Sequence, residues 1–474
     1  MQMKAIQPIE MDAQDCGEMS LADLVRDKTG SNVYRCYQCV KCSSGCPLSD
    51  QFDMTPNQIM RAVQLGEDSV LESKAIWLCA SCYTCTTRCP QAIDVTGVMD
   101  TLRIEAKARN ITPGIPEIAK FNDLFMANIK RFGRVYEVGL MAALNMALKK
   151  PFRDFKMGLR MLMRGKLRLI PEFPGKKKGA TKADHGDRAI AYFPGCSMSC
   201  SAAEYGRSIE SVTEALGVEL VEPEGWGCCG AGAAHATDHE LALTLPMKAV
   251  TTAEKMGFDT LTSACSACFS RLRRSEQATR RNEDTARLVG RTLGHDYQGS
   301  VDVHHLVDIL IDKCGLDEIG ARVSNPLKGL KVACYYGCLI TRPTKVTGAA
   351  DAEYPMKIDH LLRSLGAETV EWQSKTDCCG GSLGVTQTEV AAGLMRKIMT
   401  NARAKGAEAI VTMCPICHLN LDSRQREIGL DEDVPVFQAT QLMALAFGQG
   451  EDGAALRHNL VDTRPYLKQK GVLS

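Results

Sequence analysis

Residues 226–232 read WGCCGAG and residues 377–384 read DCCGGSLG, and these two paired-cysteine stretches determine how the whole chain is interpreted. Each pair is the centre of a five-cysteine pattern, with one cysteine upstream and a C-x-x-C motif downstream. The first pentad is Cys196, Cys228, Cys229, Cys265 and Cys268, and the second is Cys338, Cys378, Cys379, Cys414 and Cys417. Because a cubane 4Fe-4S cluster or a zinc ion takes only four ligands, each pentad predicts a less common metal cofactor.

A different cysteine pattern occupies the first hundred residues, where C-x2-C-x2-C-x3-C-P occurs twice. In this spacing three neighbouring thiolates bind one 4Fe-4S cube and the fourth cysteine reaches the other cube. We therefore expect one cluster on Cys36, Cys39, Cys42 and Cys89, and a second on Cys79, Cys82, Cys85 and Cys46. A pair of zinc sites is the alternative, which the doubled motif and its trailing prolines disfavour. The unit resembles the bacterial ferredoxins that carry two clusters, and so predicts an electron relay.

The second half of the chain alternates strand-like and helix-like segments in two similar runs. Strands are predicted at 189–195, 218–222 and 259–264, and again at 331–337, 367–372 and 407–413, with helices between them. Such alternation favours parallel sheets, whose ligands bind beyond the strand ends, where these cysteines lie. The predicted fold class is α+β multidomain: a helical ferredoxin domain with two clusters, followed by two duplicated α/β domains.

Breaks in these patterns predict the domain limits. They are an N-terminal extension (1–29), the ferredoxin-like domain (30–110), a helical segment (111–170), a linker (171–188), and the two pentad domains (189–325 and 326–474).

Composition excludes several classes of protein. The 474 residues carry a net charge of +1, which gives no electrostatic basis for binding nucleic acid. Neither a signal peptide nor a transmembrane segment is evident, so we expect a cytoplasmic protein, or one peripheral to a membrane complex. In such a compartment the cysteines are expected to bind metal rather than form disulfides. No strand is followed by G-x-G-x-x-G, so flavin or nicotinamide chemistry is expected from a partner subunit.

One stretch is strongly basic. From Lys149 to Lys182 there are twelve Lys or Arg residues against Asp154 and Glu172. Such a segment can contact anionic lipid as an interfacial helix. A partner-docking face or a solvated face is the favoured alternative.

The CCG stretches resemble the cysteine-rich domain of heterodisulfide reductases over roughly residues 189–421. With the ferredoxin unit in front, this protein looks like the C and B subunits of that enzyme fused into one polypeptide, as in the D-type subunit. The resemblance implies that each pentad holds a noncubane 4Fe-4S cluster and that a small disulfide substrate lies between the two clusters. It also implies, as partner, a flavin- and iron-sulfur-containing A-type subunit or another redox subunit.

The leading hypothesis is therefore a catalytic subunit that reduces a disulfide or a related sulfur substrate. The alternative is a non-catalytic iron-sulfur subunit that passes electrons between a dehydrogenase and a quinone, as in relatives that commonly lack part of the pentads. Retention of all ten pentad cysteines favours the first hypothesis. A structural zinc protein is a third, distant class.

Some residues outside these patterns remain open. Buried packing is favoured over ligation for the remaining four cysteines, which are Cys16, Cys200, Cys314 and Cys334. His235 is expected to be structural rather than a proton donor, and His418 either donates to a cluster sulfur or caps a helix. Arg342 and Lys345 either contact an anionic substrate group or begin a solvated helix.

Overall fold

The computed structural model describes residues 19–175, 181–430 and 432–473. Cys16, most of the predicted N-terminal extension and three lysines of the basic stretch lie outside the described residues. The N-terminal unit consists of α1 (Leu21–Thr29), α2 (Lys41–Ser44), α3 (Pro56–Leu65), α4 (Lys74–Leu78), α5 (Thr84–Arg88) and α6 (Val95–Ala108). Local chemistry explains α3: Thr55 and Gln58 form a capping box, and Gly66 ends the helix at φ +70°.

The predicted helical segment contains α7 (Pro116–Phe132), α8 (Glu137–Ala147) and α9 (Phe155–Met163). Gly133 ends α7 with φ +75°, and α8 packs back against α7. The described residues contain no helix that is both long enough and apolar enough to cross a bilayer.

Two parallel sheets form the second half of the described residues. The first has the order β2-β1-β3-β4, with β1 (Ala189–Tyr192), β2 (Glu219–Val221), β3 (Thr260–Ser263) and β4 (Asp302–His305). The second has the order β6-β5-β7-β8, with β5 (Lys331–Tyr335), β6 (Glu368–Thr369), β7 (Ala409–Thr412) and β8 (Val436–Gln438). The shared order confirms the expected α+β architecture with duplicated α/β domains.

Helices cover both sheets. Around the first lie α10 (Ala203–Ala215), α11 (His239–Lys255), α12 (Ser266–Arg281), α13 (Glu283–Leu293), α14 (Leu306–Asp308) and α15 (Leu316–Ala321). Around the second lie α16 (Thr344–Thr347), α17 (Lys357–Ser364), α18 (Leu383–Thr386), α19 (Thr388–Ala404), α20 (Pro415–Ser423), α21 (Ala439–Ala446), α22 (Gly450–Gly453) and α23 (Arg464–Gln469). The fourth strand of each sheet, β4 and β8, was absent from the sequence prediction.

The N-terminal unit packs on the second sheet domain through a continuous core that includes Val98, Tyr335 and Met395. At this boundary Arg342 is only 2% exposed. Its guanidinium donates to Thr84 Oγ1 at 2.8 Å, to Thr376 O at 2.9 Å and to Glu353 Oε2 at 2.8 Å. Both expectations for Arg342 were therefore wrong, because the side chain joins two domains and contacts neither solvent nor a substrate cavity.

The Arg342 contacts predict a large loss of stability in Arg342→Ala. Three buried acceptors lose their donor, which should cost about 3 kcal/mol in the free energy of unfolding. Arg88→Ala is the matched control, since Arg88 binds the same Glu353 carboxylate from a side chain that is 41% exposed. That variant should lose at most about 1 kcal/mol. Anaerobic thermal melting and limited proteolysis would measure both, and equal losses would contradict this account of the interface.

Candidate metal centres

The structure brings the eight ferredoxin-type cysteines together as two groups of four. One small cavity is lined by Cys36, Cys39, Cys42 and Cys89, and another by Cys46, Cys79, Cys82 and Cys85. In both groups the fourth member comes from the other motif, which is the crossed grouping expected from the spacing. Short helices and left-handed residues, such as Val40 at φ +63° and Tyr83 at φ +59°, shape the loops between the cysteines.

Polar groups surround these sulfurs. Gln38 Nε2 donates to Cys36 Sγ at 3.4 Å. The Thr84 hydroxyl lies 3.3 Å from Cys82 Sγ, and the Thr96 hydroxyl lies 3.7 Å from Cys85 Sγ. Hydrogen bonds to sulfur stabilise thiolate ligands and raise the reduction potential of a bound cluster.

The two pentads have matching geometry. Cys229 Sγ lies 3.2 Å from Cys268 Sγ, and Cys379 Sγ lies 3.6 Å from Cys417 Sγ. The next glycine in each loop donates its backbone N–H to the first sulfur of the pair at 3.3 Å, Gly230 to Cys228 and Gly380 to Cys378. Each pair therefore presents one sulfur to the backbone and the other to the C-x-x-C motif.

Two functional glycines were missed by the sequence analysis. Gly195 (φ +79°) and Gly337 (φ +67°) precede the first cysteine of each pentad. A Cβ at Gly195 would lie 3.2 Å from Cys268 Sγ, and one at Gly337 would lie 2.8 Å from Cys417 Sγ. Both positions therefore need glycine for backbone conformation and for space. The repeated tripeptides FPG and YYG carried this signal.

The electrostatics of the cysteines favour metal ligation. Burial raises the pKa of Cys85 well above its ordinary value, and the neighbouring Cys79 and Cys82 raise it further. Hydrogen bonding from Cys196 and Cys229, followed by burial, raises the pKa of Cys228 in the same way. Sulfurs so placed become thiolates readily only when bound metal offsets their charge. Grouped thiols, glycine-lined approaches and N–H donors fit iron-sulfur clusters, although no three such side chains in the described residues converge as ligands of one metal ion do.

Contacts link the three cysteine-rich units in a definite order. The Cys82 side chain of the second quartet hydrogen-bonds with Cys378 of the second pentad. At the other end of that pentad, Cys414 hydrogen-bonds with the hydroxyl of Ser266, which follows Cys265 of the first pentad. The second pentad therefore lies between the ferredoxin unit and the first pentad.

The surroundings of the two pentads differ at equivalent positions. Three residues after Cys417, Asn420 Nδ2 donates to Cys379 Sγ at 3.5 Å and to Gly381 O at 3.1 Å. At the equivalent position after Cys268 stands Arg271. Hydrogen bonds from the neighbouring cysteines lower the pKa of Cys229 most, and the positive charge of Arg271 lowers it further. One site thus has a neutral donor where the other has a cation.

The histidines are buried and paired. Burial and then Arg271 lower the pKa of His235 to about 4, against the opposing effect of Asp100. Its Nδ1 lies 3.0 Å from Asp100 Oδ2 of α6 and connects the ferredoxin unit to the first pentad loop. His418 lies 3.2 Å from Glu204, which also binds Lys166 at 2.6 Å. Neither histidine contacts a sulfur in the described hydrogen bonds, so both connect domains.

The cysteines outside the patterns that the structure describes, Cys200, Cys314 and Cys334, are buried. Cys200 Sγ donates to Cys196 O at 3.2 Å, and Cys334 lies in β5. Cys196 and Cys338 are the half-buried members of their pentads, while the other eight are buried. Cys196 Sγ accepts from the Val135 N–H at 3.4 Å and borders a cavity beside Arg134 and Trp226.

Comparison with known proteins agrees with these sites. The model described as "Cysteine-rich domain" matches residues 190–273 and 332–422, and the "4Fe-4S dicluster domain" model matches residues 32–93.

Three relatives extend this comparison. The 8-methylmenaquinol:fumarate reductase membrane anchor subunit of Wolinella succinogenes is 34% identical over 281 residues, which are 58% of this chain and 98% of the relative. The B subunit of the ferredoxin/F(420)H(2)-dependent CoB-CoM heterodisulfide reductase of Methanosarcina acetivorans is 27% identical, over 59% and 95%. The iron-sulfur C 2 subunit of the CoB-CoM heterodisulfide reductase of Methanocaldococcus jannaschii is 32% identical, over 26% and 66%.

Fold, cysteine groups and relatives together define an oxidoreductase subunit that binds 4Fe-4S clusters and transfers electrons. The protein belongs to the CCG cysteine-rich domain family, and it joins regions similar to the C and B subunits of heterodisulfide reductases.

The contrast between Arg271 and Asn420 predicts separate effects on reduction potential. Arg271→Gln should lower the potential of a cluster held by the first pentad by on the order of 50 mV, because a nearby positive charge stabilises the reduced state. Asn420→Leu should lower the potential at the second pentad by less, since it removes one N–H donor. Redox titration followed by electron paramagnetic resonance would measure both. Each variant is the control for the other, and equal shifts at both sites would contradict the assignment.

Proposed function

We propose that this protein is the iron-sulfur catalytic subunit of a heterodisulfide-reductase-like complex. It reduces a disulfide, or a related sulfur substrate, between two noncubane 4Fe-4S clusters. Two cubane 4Fe-4S clusters deliver the electrons from a partner flavoprotein. The quartets Cys36, Cys39, Cys42, Cys89 and Cys46, Cys79, Cys82, Cys85 hold the cubane clusters, and the two pentads hold the noncubane clusters.

The order of contacts carries this proposal. Cys82 meets Cys378, and Cys414 meets Ser266 beside Cys265. An electron that enters the ferredoxin unit thus has a direct route to the second pentad, and the two pentads are neighbours. Tyr205 lies between them, because the charges of Cys414 and Cys265 both raise its pKa after the larger effect of burial. Neighbouring pentads fit a substrate that is held from two sides.

The reaction consumes two electrons and two protons for each disulfide and yields two thiols. Bound clusters would supply the electrons singly and an iron position to which substrate sulfur can bind. The protein groups the cysteine ligands, excludes water from eight of the ten pentad cysteines, and leaves Cys196 and Cys338 partly accessible. Because the sequence shows no dinucleotide-binding fingerprint, the flavin belongs to a partner subunit, which we place on the ferredoxin side.

Elemental analysis tests the cofactor assignment. Two complete quartets and two complete pentads predict four clusters and about sixteen non-haem irons per chain, with matching acid-labile sulfide. Anaerobically purified protein is the sample to use. About eight irons with two zinc ions would eliminate the noncubane assignment and leave the ferredoxin clusters intact.

Cys379→Ser and Cys414→Ser test catalysis at the second pentad. Serine oxygen is a harder ligand than thiolate sulfur, so each variant should lose the second noncubane site and at least about 100-fold in disulfide turnover. The ferredoxin clusters should remain reducible by dithionite. Cys314→Ser is the control, because it replaces a buried cysteine outside both pentads. Turnover near the wild-type rate with the second cluster absent would refute the two-cluster clamp.

A second candidate function is electron transfer between a dehydrogenase and a quinone. The name of the Wolinella succinogenes relative, an 8-methylmenaquinol:fumarate reductase membrane anchor subunit, favours it. On this alternative the pentads are the last steps of a relay. Stopped-flow mixing of the dithionite-reduced protein with a menaquinone analogue, or with a small disulfide, separates the candidates: oxidation by the quinone alone supports the relay, and oxidation by the disulfide supports the catalytic proposal.

A further inference from the structure

Helix α9 has an apolar face in contact with water. Phe155, Leu159, Leu162 and Met163 are 62%, 48%, 41% and 71% exposed. Their spacing places them within a sector of about 100° on one face of the helix. Phe152, in the turn before α9, is 80% exposed, and its ring lies 6.5 Å from the Phe155 ring. We call these five residues the apolar stripe.

The opposite side of α9 is attached to the second sheet domain. Arg160 Nη2 donates to Leu460 O at 3.1 Å, and Arg164 Nη1 donates to Arg457 O at 3.2 Å. Met161 is buried on this side. The helix is therefore held in an orientation that directs its polar contacts inward and its apolar stripe outward, the reverse of an ordinary surface helix.

Charge and apolar exposure are concentrated together. Of the sixteen large hydrophobic residues that are exposed among the described residues, nine lie between Met146 and Phe173. Lys149 and Lys156 flank the stripe, are exposed, and have no acidic partner within the part of the chain that the structure describes. An apolar patch with free lysines at its edge matches a surface that combines hydrocarbon with negative charge.

We propose that the apolar stripe, with Lys149 and Lys156, binds the surface of an anionic phospholipid membrane. The stripe enters the boundary between headgroups and acyl chains, and the two ammonium groups bind lipid phosphates. A helix of nine residues is too short to span a bilayer, so α9 lies in the plane of the interface. The binding requires no sulfur chemistry, and therefore goes beyond the proposed function.

Vesicle flotation of the intact, cluster-containing protein tests this proposal. The protein should float with vesicles of phosphatidylcholine and phosphatidylglycerol, and much less with phosphatidylcholine alone. The double variant Phe155→Ser/Leu159→Ser should weaken binding by at least about tenfold, because two side chains lose their hydrocarbon contact. Lys149→Gln/Lys156→Gln should weaken binding to the anionic vesicles alone, by about fivefold for each lysine.

Leu65→Ser is the matched control, since Leu65 is 56% exposed on α3 of the ferredoxin unit. It should leave vesicle binding unchanged, and all variants should keep the melting temperature and visible absorption of the wild type. Failure of the wild type to float with anionic vesicles, or equal losses in the stripe and control variants, would overturn the proposal. Self-association that the stripe variant abolishes would also overturn it, because the stripe would then join two copies of the chain. Disulfide turnover in detergent-free buffer is a separate readout, so loss of either function is recognised independently.

Discussion

The parallel pairing of the two central strands in each sheet is the constraint on which the cysteine sites depend. In the first sheet Tyr192 is in register with Thr262, and in the second Tyr335 is in register with Thr412. Parallel strands end at the same edge, so the chain reaches Cys196 and Cys265 together there. The same holds for Cys338 and Cys414. A slip in this register would separate the upstream cysteine from the C-x-x-C motif.

Buried ion pairs then fix how the domains meet. Lys166 and Glu204 are 0% and 1% exposed, and Arg342 is almost fully buried at the ferredoxin boundary. Such pairs contribute little net stability, because desolvation offsets most of their attraction, but breaking one leaves an uncompensated charge. They therefore favour one arrangement of domains over others. For electron transfer that selectivity matters, since the contact between Cys82 and Cys378 exists only in this arrangement.

Much of this organisation could be predicted from the sequence. Cysteine spacing indicated the crossed quartets that line the two small cavities, and alternating patterns located β1, β3, β5 and β7. The strands β4 and β8 were missed because each is short and runs directly into a helix, which hides the period of a strand. The burial of Arg342 was also unpredictable, since its partner Thr84 lies 258 residues away in the sequence. The domain limits and the ligand assignments stay predictions.

The duplication gives two equal ligand sets, but their surroundings are unequal. The ferredoxin unit contacts the second pentad through Cys82, whereas a charged residue, Arg271, lies near Cys229 of the first. Identical clusters in these two places would differ in potential, because a nearby cation stabilises the added electron more than an amide does. The site farther from the entry of electrons would then attract them more strongly. Ligand identity thus follows from the repeated pattern, while the direction of electron flow depends on the residues that the repeat does not share.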